Sequence, residues 1–289
     1  MISLVEAHKK FINNLKKKSR AEATTVAYSK DVLQLIDFLA KSNINNTNDV
    51  KLEDLNKFMA NLAEEGLKNK TISRKTNSTR TFFKFLRSEN LIAINPSQNL
   101  EHPEVKSKDP RILSKLEYRA LRDAVRKDIR SAAIVELLLQ TGIRIGELSR
   151  LNLSDVKLNG GKGEIYISEF GSHEARVVPL NDAAEEAISE YMNTRPTNVK
   201  SENFFITKTG RPLLVRNIRA TLNRYFEKAE LPHVKVNDLR HTFIAHHLTQ
   251  GTSLLTLSKI AGHKRISTTE KYLNFIKNPS AEKVELDEL

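Results

Sequence analysis

Over roughly the first hundred positions apolar residues recur at helical spacing, and then the pattern stops. Asn95-Pro96 and His102-Pro103, followed by the polar stretch 104–110, put two helix breakers and little buriable side chain into one window. A chain interrupted in this way folds as two bodies, and 289 residues are enough for two ordinary cores. The mixed charges of Glu104, Lys106, Lys108, Asp109 and Arg111 suit a solvated strap. The expectation is therefore an N-terminal domain over 1–103, a linker over 104–111 and a second domain over 112–289, with the cut near residue 108.

In the first block Val26, Leu33, Ile36, Phe38 and Leu39 fall at helical spacing, as do patterns at 55–62 and 82–91. Thr24 or Thr25, the 51–54 segment and the 69–71 segment supply capping or acidic residues ahead of apolar runs. Four helices in a small bundle are predicted. Lys68, Lys70, Thr71, Arg74 and Arg80 lie within helical reach of one another, which fits either a DNA-gripping face or a solvated basic face. In the second block helices are predicted at 113–125, 132–140, 183–192, 217–229, 240–249 and 254–260. Two β-rich segments, 164–169 and 175–180, flank Gly171 as a hairpin. The fold class is mainly α with a small β-sheet.

Lys and Arg number 47 against 35 Asp and Glu, a formal charge of +12, which favours a polyanionic partner, nucleic acid first. Cys is absent, which excludes disulfides, thiolate metal sites and cysteine nucleophiles and fits a reducing, cytoplasmic setting. No run approaches about 18 apolar residues and the first residues lack a long apolar core, so neither membrane spanning nor secretion is expected.

Three segments carry chemistry. In Thr141-Gly142-Ile143-Arg144-Ile145-Gly146-Glu147-Leu148 one arginine follows closely on a Gly at the end of an apolar helix. Its guanidinium offers five fixed donors matched to phosphate oxygens, or it pairs with Glu147. In Asn237-Asp238-Leu239-Arg240-His241-Thr242-Phe243 a second arginine and a histidine open another helix, where unpaired N–H groups and the dipole favour anions. A solvated helix start with a satisfied histidine is the alternative. In the third segment His263 precedes Tyr272 by nine positions across a helix-turn-helix, which also reads as an ordinary capped helix with a half-buried tyrosine. His241, His246 and His247 lack H-E-x-x-H spacing, so no metal site is expected.

Taken in order, T-G-x-R-x-x-E-L, x-x-x-R-H-T-F and G-H-x-x-x-x-T-T-x-x-Y resemble the catalytic boxes of the tyrosine recombinase or phage integrase family, in its Xer-like branch. The first block resembles the family's SAM-like core-binding domain in Thr25-Val26-Ala27-Tyr28, Lys70-Thr71-Ile72-Ser73-Arg74, Arg80 to Leu86 and Asn95-Pro96. The resemblance implies that Tyr272 attacks a DNA phosphorus to give a 3′-phosphotyrosine, with Arg144 and Arg240 holding the non-bridging oxygens and His263 donating a further hydrogen bond. It implies double-stranded DNA as partner, contacts to DNA from Arg176 as well as the first-domain residues, and a monomer that assembles as a tetramer on two sites. A tail over 274–289, with apolar Ile276, Val284, Leu286 and Leu289, is expected to dock on a neighbour. No metal, nucleotide or other cofactor is implied, because the arginines supply the charge and the covalent intermediate keeps the bond energy.

This chain departs from the pattern at two places. Asn237 stands where the family has a histidine three positions before the second arginine, and an amide cannot take a proton. The hairpin turn lacks the family's lysine, and Phe170 stands about where it belongs. His173, or Lys162 under a different strand register, is a candidate to replace it as general acid. The departures leave a slow recombinase and a cleavage-deficient DNA-binding regulator on the same fold as competing expectations. A structural protein with a merely solubilising charge is the third.

Overall fold

The computed structural model describes residues 2–18, 22–105, 109–160, 162–171 and 173–276. The chain divides into two compact units, Met1–Lys108 and Asp109–Leu289. Linker positions 106–108, and 277–289 of the expected docking tail, lie outside the described residues.

The first unit is built from α1 (Leu4–Lys17), α2 (Glu22–Ala40), α3 (Leu52–Glu64) and α4 (Asn69–Ser88). Its core joins Phe11, Leu35, Leu39, Phe58, Leu62, Phe82 and Leu86, with Phe11 edge-on to Phe82 at 5.4 Å between centroids. On α4 the buried positions 72, 75, 76, 79, 82, 83 and 86 repeat at three and four, so one face packs inward. The opposite face leaves Lys70, Arg74, Arg80 and Lys84 exposed, with Lys68 exposed at the N-cap and Thr71 half-buried. Arg74 is not a free cation: it forms an ion pair with the buried Asp31 of α2, which also accepts Lys75 Nζ at 3.0 Å and Ser78 Oγ at 3.1 Å. A buried carboxylate persists only when partnered in this way, and the cluster ties α2 to α4.

The second unit contains α5 (Lys115–Val125), α6 (Ile129–Thr141), α7 (Ile145–Arg150), β1 (Val156–Lys157), β2 (Glu164–Ile167), β3 (Arg176–Pro179), α8 (Asp182–Thr194), α9 (Val215–Lys228), α10 (Val236–Thr249), α11 (Leu254–Ala261) and α12 (Ser267–Glu270). A 3₁₀ turn, Lys271–Phe275, follows the last helix. The sheet is antiparallel in the order β1-β2-β3, with Ile165 opposite Val178 and Ile167 opposite Arg176. Helix α6 buries Ala133, Ile134, Val135, Leu137 and Leu138 and forms the spine of the core.

The fold is mostly helical with a small sheet. Helix α10 starts earlier than the expected residue 240, because the Asp238 carboxylate accepts the Lys235 N–H at 2.8 Å and caps the helix there. The strands are shorter than expected, since Phe170 and His173 pair across the turn and close it separately. Helix α7 and strand β1 were not expected: six and two residues are too short to display a period.

Candidate active site

Two glycine-terminated helices meet to shape the site. Helix α6 ends at Gly142, whose φ is +61°, and a Cβ there would sit 2.2 Å from the Phe243 ring of α10. Helix α11 ends at Gly262, whose φ is +67°, and a Cβ there would lie 2.9 Å from Cζ of Arg176. Only glycine permits both the left-handed turn and the close approach.

The carbonyls freed at these helix ends receive the arginines. Arg240 Nη1 donates to Gly142 O at 2.5 Å and Nη2 to Ala261 O at 2.6 Å. Arg144 Nη2 donates to Gly262 O at 2.7 Å. Arg144 is also the N-cap of α7, where Glu147 Oε2 accepts its N–H and Oε1 accepts its Nη1, both at 2.8 Å. The two readings of Arg144 are thus compatible: it pairs with Glu147, and its remaining donors stay available. Each guanidinium has five N–H donors and only some are engaged. Burial, then the positive charge of Arg144, pulls Arg240 down to about 9, which leaves it charged at neutral pH.

Arg176 corrects an expectation. The resemblance implies a DNA contact there, but the side chain is 9% exposed, its two Nη atoms donate to Glu147 at 2.9 and 2.8 Å, and Nε donates to Ile260 O at 2.7 Å. With three of its donors engaged inside the protein, it locks β3 to α7 and α11 and is a structural arginine rather than an exposed surface cation. Burial opposes the charge on Glu147, yet the hydrogen bonds from Arg176 and from the Arg144 N–H outweigh it and hold this carboxyl at about 2.

His263 follows Gly262, with Nδ1 2.8 Å from the hydroxyl of the buried Thr269. Burial, reinforced by Arg240, Arg144 and Arg176, lowers it to about 4, so the imidazole is neutral at neutral pH. Tyr272 sits in the 3₁₀ turn, 6% exposed. Its Oη lies 2.5 Å from Nδ1 of His241, and Nε2 of His241 lies 2.7 Å from Nδ2 of Asn237. Burial raises the phenol, and the charge of Arg240 opposes that rise.

In the hairpin turn, Arg150 stacks on Phe170 with Cζ 3.8 Å from the ring centroid. His173 Nδ1 is buried without a hydrogen-bond partner among the described residues. Burial lowers this imidazole, and next the charge of Arg144, with Lys264 and Arg176 adding to it and Glu147 opposing. Lys162 is a second correction. It precedes β2, whose first residue pairs with Pro179, so it lies at the end of the hairpin away from Arg176. The intervening strand length is roughly 15 Å at about 3.3 Å per residue, and register slippage does not rescue the assignment.

The structure therefore brings together Arg144, Arg240, Tyr272, His263 and Asn237, with His173 in the electrostatic reach of Arg144. Sequence reasoning missed the central place of Glu147, the support of His263 by Thr269, and the contact of His241 with Tyr272. Only the bond from Asn237 to His241 had a signal, since the two are four apart on one helix face.

Two family models match the chain: "Phage integrase family" over residues 111–278 and "Phage integrase, N-terminal SAM-like domain" over residues 9–90. Tyrosine recombinase XerC of Staphylococcus carnosus is 31% identical over 271 residues, covering 91% of this chain and 90% of the relative. Tyrosine recombinase XerC of Bacillus subtilis is 30% identical over 273 residues, covering 90% and 88%. Among solved structures, the XerH site-specific recombinase bound to a palindromic difH substrate superposes with a TM-score of 0.74 at 20% identity, over 88% of this chain and 76% of that one. A lambda integrase dimer bound to a COC′ core site gives a TM-score of 0.74 at 17% identity, over 92% and 97%. From the arginine, histidine and tyrosine boxes, the fold that gathers them and these relatives, we conclude that the chain belongs to the phage integrase family of tyrosine recombinases.

Proposed function

We propose that the chain is a site-specific DNA recombinase whose nucleophile is Tyr272. The observation that carries this reading is that segments far apart in sequence interlock around one place: Gly142 O holds Arg240, Gly262 O holds Arg144, and Tyr272 lies within the electrostatic field of Arg240. Such an arrangement of two guanidiniums suits the charge that develops on a phosphate's non-bridging oxygens during attack. Thr269 donating to Nδ1 of His263 leaves Nε2–H as a third donor. The Tyr272 oxygen gives up its proton to water and forms the bond to phosphorus, the phosphorus–O5′ bond breaks, and the electron pair leaves on O5′. His173 supplies the proton to O5′; its unpartnered ring nitrogen supports that role. No metal or nucleotide takes part in these steps. Reversal with a different 5′ hydroxyl rejoins the strands.

The DNA is gripped by Lys68, Lys70, Thr71, Arg74 and Arg80 of the first unit, through the exposed face of α4 and its N-cap. Four copies act on two DNA sites. The working place is the cytoplasm; among the described residues no helix is long and apolar enough to cross a membrane.

The test uses a duplex enriched by the protein itself from a random-sequence pool, nicked so that cleavage traps the covalent adduct. Arg144→Ala and Arg240→Ala are each expected to slow adduct formation by about 10²–10³, the scale of one lost oxyanion donor, with duplex affinity falling far less. Equal losses in rate and affinity would assign the arginines to binding alone.

A further inference from the structure

We propose that His241 is a catalytic residue that holds and polarises the nucleophilic oxygen of Tyr272, and that Asn237 is a positioning residue that fixes the tautomer of His241. This rests on the reading of Tyr272 as the nucleophile.

Asn237 and His241 stand four apart on α10, so their side chains share a face. The amide Nδ2 of Asn237 points at Nε2 of His241 from 2.7 Å, and an amide nitrogen can only donate. Nε2 must therefore carry the lone pair. A neutral imidazole with Nε2 as acceptor has its single proton on Nδ1, and Nδ1 faces Tyr272 Oη at 2.5 Å. The phenol oxygen accepts that bond, which stabilises the phenolate more than the phenol. The rings lie 5.7 Å apart between centroids, so the contact is a directed one rather than a stack.

Charged and titratable groups face this pair from each side. Burial keeps His241 neutral, Asp238 opposes that through its negative charge, and Arg240 reinforces it. Arg240 also acts on Tyr272, and His263 is destabilised as a cation by His241. In the attack the Oη lone pair forms the oxygen–phosphorus bond, the phenol proton passes to water, and the P–O5′ electron pair leaves on O5′, which takes a proton from its acid. His241 keeps its own proton throughout and lowers the energy of the anionic oxygen. The amide that replaces the family's histidine thus acts on the nucleophile through His241, a role a proton-accepting residue is not needed to fill.

The experiment has three readouts on the full chain. Nitrogen-15 imidazole spectra of the DNA-free protein are expected to show His241 protonated on Nδ1. A carbon-13 titration of the Tyr272 ring, assigned with Tyr272→Phe, is expected to move to higher pH in His241→Leu. On the self-selected nicked duplex, His241→Leu should form adduct on the order of 10- to 100-fold more slowly at neutral pH, the scale of a hydrogen bond to a charged oxygen. Its pH–rate curve should be displaced to the alkaline side. His241→Asn, whose amide N–H occupies the place of Nδ1, should recover much of the rate, while Asn237→Asp, which forces the proton onto Nε2, should lose it. A proton on Nε2 in the unaltered protein would overturn the proposal, and so would superimposable pH–rate curves for His241→Leu and the unaltered protein. If His241→Leu fails to fold, the tautomer and the Asn237→Asp rate decide. If the unaltered protein forms no adduct, the recombinase reading falls, while the nitrogen and carbon titrations still judge the pairing on their own.

Discussion

Glu147→Gln tests whether the arginine framework is held by one buried carboxylate. The Glu147 side chain is 6% exposed and bridges Arg144 and Arg176, the latter 9% exposed. Its carboxyl is held at about 2 against an ordinary 4.5. That difference is worth roughly 3 kcal/mol at about 1.4 kcal/mol per pKa unit. Because the folded value is depressed, the contribution is fully present above pH 4.5 and is lost as pH falls from about 4.5 toward 2. At pH 3 less than half of it remains. Calorimetry of the second unit should therefore place Glu147→Gln lower than the unaltered chain by about 6 to 12 °C at pH 7, at roughly 2 to 4 °C per kcal/mol for a domain of this size. The gap should shrink by more than half at pH 3. A loss below about 1 kcal/mol at neutral pH, or a gap that ignores pH, would refute the reasoning, because breaking a buried pair should leave Arg176 uncompensated.

Three further outcomes follow from the geometry. Gly262→Ala should destabilise the second unit by about 1 to 3 kcal/mol, since it adds a Cβ at 2.9 Å from Arg176 to a residue at φ +67°; thermal unfolding measures it, and an unchanged midpoint would contradict the close packing. Neutralising Lys70, Arg74 and Arg80 together should weaken duplex binding and reduce the slope of log affinity against log salt by about 0.9 per lost phosphate contact; an unchanged slope would remove α4 from the DNA face. His173→Ala should slow cleavage of ordinary DNA by about 10²–10⁴ and be rescued by a substrate with sulfur at the 5′ bridging position, whose leaving group needs no proton. Without rescue, His173 is not the acid.

Much of the fold could be read from the residues because its signals are local. The four helices of the first unit follow from a three-and-four repeat, and the interruption at Asn95-Pro96 and His102-Pro103 marks where one core stops. Helix α7 escaped notice because six residues carry less than two turns of pattern. At the candidate site, the strings around Arg144, Arg240, His263 and Tyr272 named the residues but not their partners, because those bonds join positions as far apart as 142 and 240. Arg176 illustrates the limit best. A lone arginine on a strand reads as a surface cation, and only the positions of Glu147 and the Ile260 carbonyl reveal that it is structural. The same blindness hid the contact of His241 with Tyr272, 31 positions away.

The central claim is that the oxygen of Tyr272 becomes joined to DNA. The nicked duplex selected by the protein, incubated with the unaltered chain and quenched in denaturant, should yield a covalent adduct. Digestion and mass spectrometry should then find the nucleotide on the peptide containing Tyr272, linked through a 3′ phosphate. Tyr272→Phe should bind the duplex with unchanged affinity and give no adduct. An adduct on another residue, or none from the unaltered protein on a site it binds tightly, would contradict the account and leave a DNA-binding regulator on a recombinase fold.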